Sequence, residues 1–273
     1  MRNIRIFLNE YPQSIEIANE IEDRFKNVGI TTTLTDINGR VVNNDHFDLN
    51  IVVGGDGSFL RAIKLSNFSS SPFIGVNTGS LGFFQEIDVS DIPQFIHSVV
   101  AKDYWTSPLR LLKCTAYRND GVGEEFLCVN EALVKGVNSK VLHMDVHISG
   151  HFLESFSGDG MIISTAIGST AYNYSVGGAI VYPAYEIIEL SPLAPISSAS
   201  YRSLLNSIVM PGRFEVELYP ETRYDKEILI VQDGEEHMVR DIKYITVTMS
   251  NVYIYRLHIK DDNYWSNLRE KFI

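Results

Sequence analysis

The feature that most limits what this chain can fold into is a change of hydrophobic period part-way along it. In the first hundred residues, short apolar runs alternate with segments whose apolar residues recur every three or four positions. "IRIFLN" (4–9) is a β run, Ile17, Ile21 and Phe25 then fall four apart with Ala18 beside them, and Gly29 stands where such a helix would stop. "ITTTLT" (30–35), "LNIVV" (49–53) and "PFIGV" (72–76) read as strands, "LRAIKL" (60–65) has helical character, and Phe95, Ile96, Val99 and Val100 mark a further helix. Strand and helix in alternation predict a parallel sheet with helices packed on it. Beyond Tyr104–Pro108 the period becomes two. Met144, Val146 and Ile148 alternate with Asp145 and His147, Phe214, Val216 and Leu218 with Glu215 and Glu217, and Ile245, Val247 and Met249 with Thr246 and Thr248. Side chains of a strand point to opposite faces in turn, so this part is expected to be mainly β. A length of 273 residues favours two domains. The expected division is an α/β domain over 1–105 and a mainly β domain over 106–256, with 257–273, including a short helix in "NYWSNLREKFI", returning to the first.

Charge and cysteine usage narrow the function classes. A net charge of −11 with no basic stripe argues against a nucleic-acid partner, and any anionic ligand must be held by local geometry rather than by overall attraction. Cys114 and Cys128 form no CxxC pair and are read as reduced, mostly buried thiols. "MRNIRIFLNEYP" lacks the apolar run of a signal peptide, and no stretch approaches the roughly 20 apolar residues of a membrane helix. A soluble, cytoplasmic protein with no membrane partner is expected.

Three clusters could carry chemistry. In "IVVGGDGSFLRA" (51–62) a strand runs through glycines into a helix, which gathers free backbone N–H groups and the positive end of the helix dipole at one spot. Gly54, Gly55 and Gly57 leave room for a phosphate against the main chain. Asp56 is the odd residue, because a carboxylate in a phosphate cradle repels its ligand unless it binds a metal or takes a proton. The plainer alternative is a tight turn whose Asp caps a helix over 57–65. "SGDGMIISTAIGSTAYNYSVGGA" (157–179) is dense in glycines and small hydroxyl residues, which suits a wall that hydrogen-bonds a polar ligand. In "CVNEALV" (128–134), Asn130 and Glu131 interrupt an apolar strand-like run. Buried, they need partners such as ribose hydroxyls; the alternative is an edge-strand pair facing water. His143, His147 and His151 fall four apart, a zinc spacing on a helix, but this segment reads as a strand, where such residues lie roughly 13 Å apart. "RYDKE" (223–227) and "KDDNY" (260–264) read as solvated surface charge.

Taken in order, "GGDGSF" (54–59), "NTGSLGFF" (77–84), "NEALV" (130–134), "GDGMIISTAIGSTAYNYSVGG" (158–178) and "VQDGE" (231–235) resemble the NAD kinase family over nearly the whole chain. The resemblance implies transfer of phosphate from ATP or polyphosphate to the 2′-hydroxyl of the adenosine ribose of NAD, an α/β domain followed by a β domain with the site between them, and a homo-oligomer, a tetramer or dimer. It implies Asp56 as proton acceptor, Gly55 and Gly57 against the ligand, and nucleotide contacts from Phe83, Phe84, Asn130, Glu131, Ser157, Asp159, Thr170, Ala171, Tyr172, Asn173, Ser175, Ala194 and Asp233. Mg²⁺ or another divalent cation is expected with the phosphate donor, held mostly by the substrate because no dedicated cage is legible. A non-catalytic NAD(P) sensor and another GGDG-type kinase, acting on a lipid or sugar phosphate, are the alternatives. Two departures stand out. Ser157 replaces an Arg common in the family, which points to looser NADP binding, and "TAIG" (165–168) replaces Thr-Pro-Thr-Gly.

Overall fold

A run such as Leu49–Val53, apolar on both faces apart from Asn50, needs a sheet that is covered on both sides, as helices cover a parallel sheet. The computed structural model describes residues 1–39, 46–79, 82–197, 202–221, 227–260 and 264–273. By internal contacts the chain divides into two units, 1–109 with 253–273, and 110–252.

In the first unit β1 (Asn3–Leu8), β2 (Thr31–Asp36), β3 (Leu49–Val53) and β4 (Phe73–Val76) pair in parallel in the order β2-β1-β3-β4, with short β5 (Gln85–Ile87) beside β4. Every residue of β3 is buried. Helix α1 (Pro12–Asn27) turns Ile17, Ala18, Ile21 and Phe25 inward, and Phe25 meets Phe95 of α3 (Ile92–Ala101) edge-on at 6.0 Å. Gly29 ends α1 at φ +78°, which lets the Ile30 N–H return to the Phe25 carbonyl. Helix α2 begins at Asp56 and runs to Leu65, so Asp56 lies inside its first turn and Gly55 is the N-cap. The last helix of the chain, over Tyr264–Phe272, sets the Tyr264 and Phe272 rings 6.0 and 5.9 Å from Phe83. Tyr264 is thus buried rather than solvated, while Lys260 forms a surface ion pair with Asp91. Residues 261–263, like 222–226 of the other charged run, lie outside the described residues; Glu227 pairs with Arg240.

The second unit is built from antiparallel strands. β6 (Trp105–Arg118) pairs with β7 (Gly123–Cys128). β8 (Glu131–Gly136), β11 (Gly160–Ser164), β12 (Ile187–Leu193), β13 (Ile208–Pro211), β15 (Glu227–Gln232) and β16 (Glu235–Arg240) form one sheet in the order β13-β12-β11-β8-β15-β16. β9 (Leu142–Ile148) and β10 (His151–Gly158) form a hairpin that continues through β14 (Val216–Pro220) to β17 (Ile242–His258). The core lies between inward faces of both sets, with Cys114, Val146, Leu218 and Ile245 packed with Val134, Ile163, Leu190 and Ile230. Both cysteines are free and buried, and burial pushes the Cys114 thiol up to about 12. Phe214 packs on this core but precedes β14, because Phe214 closes a turn back to the Pro211 carbonyl. His143 and His147 lie on β9, whereas His151 starts the return strand β10 beyond the Ser149–Gly150 turn.

Candidate active site

The two units each carry one cluster of the residues singled out by the sequence. In the first, β3 ends at Val53, Gly54 and Gly55 turn the chain, and α2 starts at Asp56. The Asp56 carboxylate does not cap its own helix. Its Oδ1 accepts the Phe83 N–H at 3.0 Å and the Phe84 N–H at 3.1 Å, and its Oδ2 lies 3.2 Å from the Phe83 nitrogen. The capping alternative therefore fails, because the acceptor is spent on a segment 27 residues further on. Lys271 places its Nζ 3.1 Å from Oδ2. Gly82 is required for this approach, since a Cβ there would lie 2.3 Å from Asp56 Oδ1 and 1.8 Å from Gln85 Oε1. A Cβ on Gly57 would meet nothing within 4 Å, so the helix start is open on that side. Phe83 and Phe84 meet Asp56 through their backbone; both rings are buried, and Phe84 stacks on Phe59 at 4.7 Å. Ser80 and Leu81 of the same motif lie outside the described residues.

In the second unit β8 is an interior strand, so Asn130 and Glu131 at its start are buried; the water-facing edge-strand alternative is overturned. Their backbone is held by Asp233, which sits at φ +46° in the β15–β16 turn. Its carboxylate accepts the N–H groups of Val129 (2.9 Å), Asn130 (2.7 Å) and Glu131 (3.2 Å). Thr165 Oγ1 donates to the Val129 carbonyl at 2.8 Å and accepts the Gly168 N–H at 3.1 Å. Gly168 packs so closely that a Cβ would lie 2.1 Å from the Asn130 carbonyl oxygen. After this turn comes the short helix α4 (Tyr172–Ser175). The result is a groove of about 260 Å³ walled by Glu131, Tyr172, Val231 and Gly234.

Among the described residues, Asn130 Oδ1 and Glu131 Oε2 are buried with no hydrogen-bond partner. Each such atom costs about 1–3 kcal/mol, which a bound polar ligand would recover. Burial, with a smaller contribution from the Asp233 charge, pushes the Glu131 carboxyl up to about 8, so it is neutral at pH 7 and can donate as well as accept.

The other nominated residues divide. Thr170 is buried and Asn173 wholly so, the latter accepting from Ser191 Oγ at 2.6 Å, while Ala171 is half-buried and Tyr172 and Ser175 are exposed. Gly158, Asp159 and Ala194 stand together. The Asp159 N–H donates to Leu193, and Ala194 takes φ +46° with its carbonyl 2.8 Å from where a Gly158 Cβ would be. Ser157 is buried on β10 with its Oγ 2.6 Å from His143 Nδ1, a contact into the neighbouring strand. Sequence reasoning missed Lys271, 215 residues from Asp56, and Glu189, a buried carboxylate on β12 that accepts the Ala179 N–H at 2.7 Å and whose pKa burial raises. Neither carries a local signal, since a lysine near a terminus and one Glu in an apolar strand are both common.

The same two segments are matched independently by known families. Residues 6–104 match the ATP-NAD kinase N-terminal domain and 129–258 the ATP-NAD kinase C-terminal domain. The chain belongs to the NAD kinase family. A NAD kinase of Finegoldia magna is 38% identical over 273 residues, covering 99% of this chain and 97% of that one. A NAD kinase of Geobacillus stearothermophilus is 32% identical over 261 residues, covering 94% and 93%. The fold is shared with two solved structures at lower identity. Yeast NADH kinase complexed with NADH has a TM-score of 0.85 at 20% identity, covering 99% of this chain and 87% of that one. A NAD kinase from Archaeoglobus fulgidus in complex with ATP has 0.78 at 24%, covering 99% and 98%. The NAD kinase architecture of an α/β unit followed by a mainly β unit is thus the fold of this chain.

Proposed function

We propose that this protein is a NAD kinase in which Asp56 is the general base, phosphorylating the 2′-hydroxyl of the adenosine ribose of NAD. The observation that carries the reading is the Asp56 carboxylate at the first turn of α2, held by two backbone N–H groups of the 83–84 segment rather than by its own helix. The ribose hydroxyl is a poor nucleophile while it keeps its proton. As its oxygen bonds to the terminal phosphorus of the donor, the proton passes to Asp56 Oδ2 and the bridging P–O bond breaks, leaving NADP and the shortened donor. Proton acceptance of this kind contributes roughly 10²–10⁴ in rate. Backbone N–H groups at the helix start stabilise charge on the transferred group. ATP and polyphosphate are both donors in this reading. Either enters with a divalent cation as part of the substrate, its ligands mainly phosphate oxygens and water.

Asn130 and Glu131 hold the adenosine ribose, and their two unpartnered buried atoms support that role. A neutral Glu131 offers an O–H donor and a carbonyl acceptor, the pair that a ribose diol can match. Tyr172 supplies an exposed ring beside the groove for the adenine. Thr170, Ala171, Asn173 and Ser175 shape that wall, and Asp159 and Ala194 border the nucleotide. Asp233 acts by positioning the 129–131 turn. The protein works as a soluble, cytoplasmic homo-oligomer; among the described residues no helix is long and apolar enough to cross a membrane. Light scattering of the purified protein tests the assembly.

The test of the chemistry is Asp56→Asn, which keeps shape and removes proton acceptance. Calorimetric NAD affinity should stay within a few-fold of wild type while NADP formation falls at least 100-fold, in line with the general-base contribution. Turnover within a few-fold of wild type would sink the base assignment. NAD, NADH, diacylglycerol and fructose 6-phosphate compared as acceptors test the acceptor class.

A further inference from the structure

The cradle at Gly54–Gly57 carries a problem that its own sequence does not solve. A phosphate donor brings several negative charges to a helix start that already bears the Asp56 carboxylate. Like charges a few ångströms apart repel strongly at the effective dielectric of a protein surface. The helix dipole is worth only about half a charge. The 51–62 segment has one cation, Arg61, and its guanidinium bonds Asn38.

The missing charge comes from the other end of the chain. Lys271 Nζ lies 3.1 Å from Asp56 Oδ2. It also stands 4.7 Å from the centre of the Phe83 ring, a cation–π distance. The helix that carries it is fixed on the same segment that holds Asp56. Asn267 Nδ2 donates to the Gly82 carbonyl at 3.3 Å, and the Tyr264 and Phe272 rings flank Phe83. Three contacts on 82–83 thus set the position of one ammonium group. Lys271 keeps about a third of its side chain exposed, so its end can turn from the carboxylate to an incoming anion without unfolding anything.

We propose that Lys271 is the cation for the donor phosphates: it neutralises Asp56 in the empty enzyme and binds the transferring phosphoryl group during reaction. The inference rests on the Asp56 reading for its second half only. With Lys271 paired, the cradle is close to neutral and a polyanion can approach. When Asp56 takes the ribose proton its charge disappears, and the ammonium has the phosphoryl oxygens as its remaining anionic partner. The charge released by the base is thereby delivered where negative charge is moving. The Asp56 carboxylate tolerates a phosphate ligand because a lysine 215 positions away accompanies it.

Lys271→Met keeps an unbranched side chain one atom shorter and removes the charge; Lys271→Arg keeps the charge. Affinity for ATP with Mg²⁺, and separately for NAD, is measured by calorimetry in wild type, both Lys271 variants, Asp56→Asn and the Asp56→Asn/Lys271→Met double variant, with thermal melts as a check of folding. Lys271→Met should weaken ATP at least 10-fold and lower kcat at least 10-fold, with NAD affinity within twofold. Lys271→Arg should restore ATP affinity to within about threefold. In the Asp56→Asn background, Lys271→Met should still weaken ATP, and that reading needs no turnover. ATP affinity unchanged by Lys271→Met in a folded protein, or an equal loss for ATP and NAD, overturns the proposal. If Asp56→Asn keeps its turnover but Lys271→Met weakens ATP alone, the base assignment has failed and the lysine assignment stands.

Discussion

The raised pKa of Glu131 makes a stability prediction with a definite sign. Replacing Glu131 by Gln keeps the shape of the neutral carboxyl and removes its titration. The folded group ionises at about 8 and the unfolded one at its ordinary value of 4.5. Between those values the folded state holds a proton that the unfolded state has lost. Stability contributed by this site is therefore full below 4.5, falls by about 1.4 kcal/mol for each pH unit, and is wholly lost above about 8. The loss is about 2 kcal/mol at pH 6, about 3 at pH 7 and between about 4 and 5 at pH 8.5. The Gln variant escapes it. Any fixed cost of the buried amide shifts its curve by a constant, so the informative quantity is the widening of the gap between variant and wild type. From pH 6 to pH 8.5 that gap should grow by about 2–3 kcal/mol in favour of the variant, or roughly 4–12 °C in the melting temperature of a unit this size. Urea and thermal melts of both proteins at pH 6, 7 and 8.5, without nucleotide, measure it. Parallel curves, with a gap constant to within about 0.5 kcal/mol, would show that Glu131 is already ionised in the folded protein and would remove the reason for treating it as a donor to ribose.

The remaining predictions follow from single contacts. Glu131→Met removes both the donor and the acceptor that Gln would keep, so it should bind NAD about 3–10-fold more weakly, the worth of one hydrogen bond, with ATP affinity within twofold; an equal loss for both by calorimetry would mark the residue as structural. Gly82→Ala puts a Cβ against Asp56 Oδ1, so kcat should fall at least 10-fold while calorimetric NAD affinity holds, and an unchanged kcat would mean that the 82–84 segment yields without moving the carboxylate. Ser157→Arg must break the contact with His143 and force a guanidinium into a buried strand position. It should cost about 1–3 kcal/mol in a urea melt rather than tighten NADP selectively, and selective tightening with an unchanged melt would show that the side chain reaches the ligand.

The hydrophobic periods determined the class of each half. A stretch as apolar as Leu49–Val53 fits a strand buried on both faces, its alternation with helical segments made that sheet parallel, and the two-residue period over 144–148 and 245–249 fits half-buried strands. The glycine motif marked the helix start, because a backbone that must admit a phosphate and open a helix has few alternatives to glycine. Its helix begins at Asp56, one residue before the 57–65 suggested by the sequence, and only the fold shows that the Asp56 carboxylate turns to donors at Phe83 and Phe84. Burial was the second matter left to tertiary structure. By themselves Asn130 and Glu131 read more readily as a wet edge than as a dry interior, and only the neighbours β11 and β15 on either side of β8 make them dry, raise the Glu131 pKa and leave two atoms in want of a ligand. Ser157 shows the same limit, as its partner is chosen by the register of β9 against β10. The pairing of Asp56 with Lys271 is the extreme case. Coulomb attraction acts through space, and a sequence records only order along the chain, so two charges 215 residues apart have no common signature until the fold brings them to 3.1 Å.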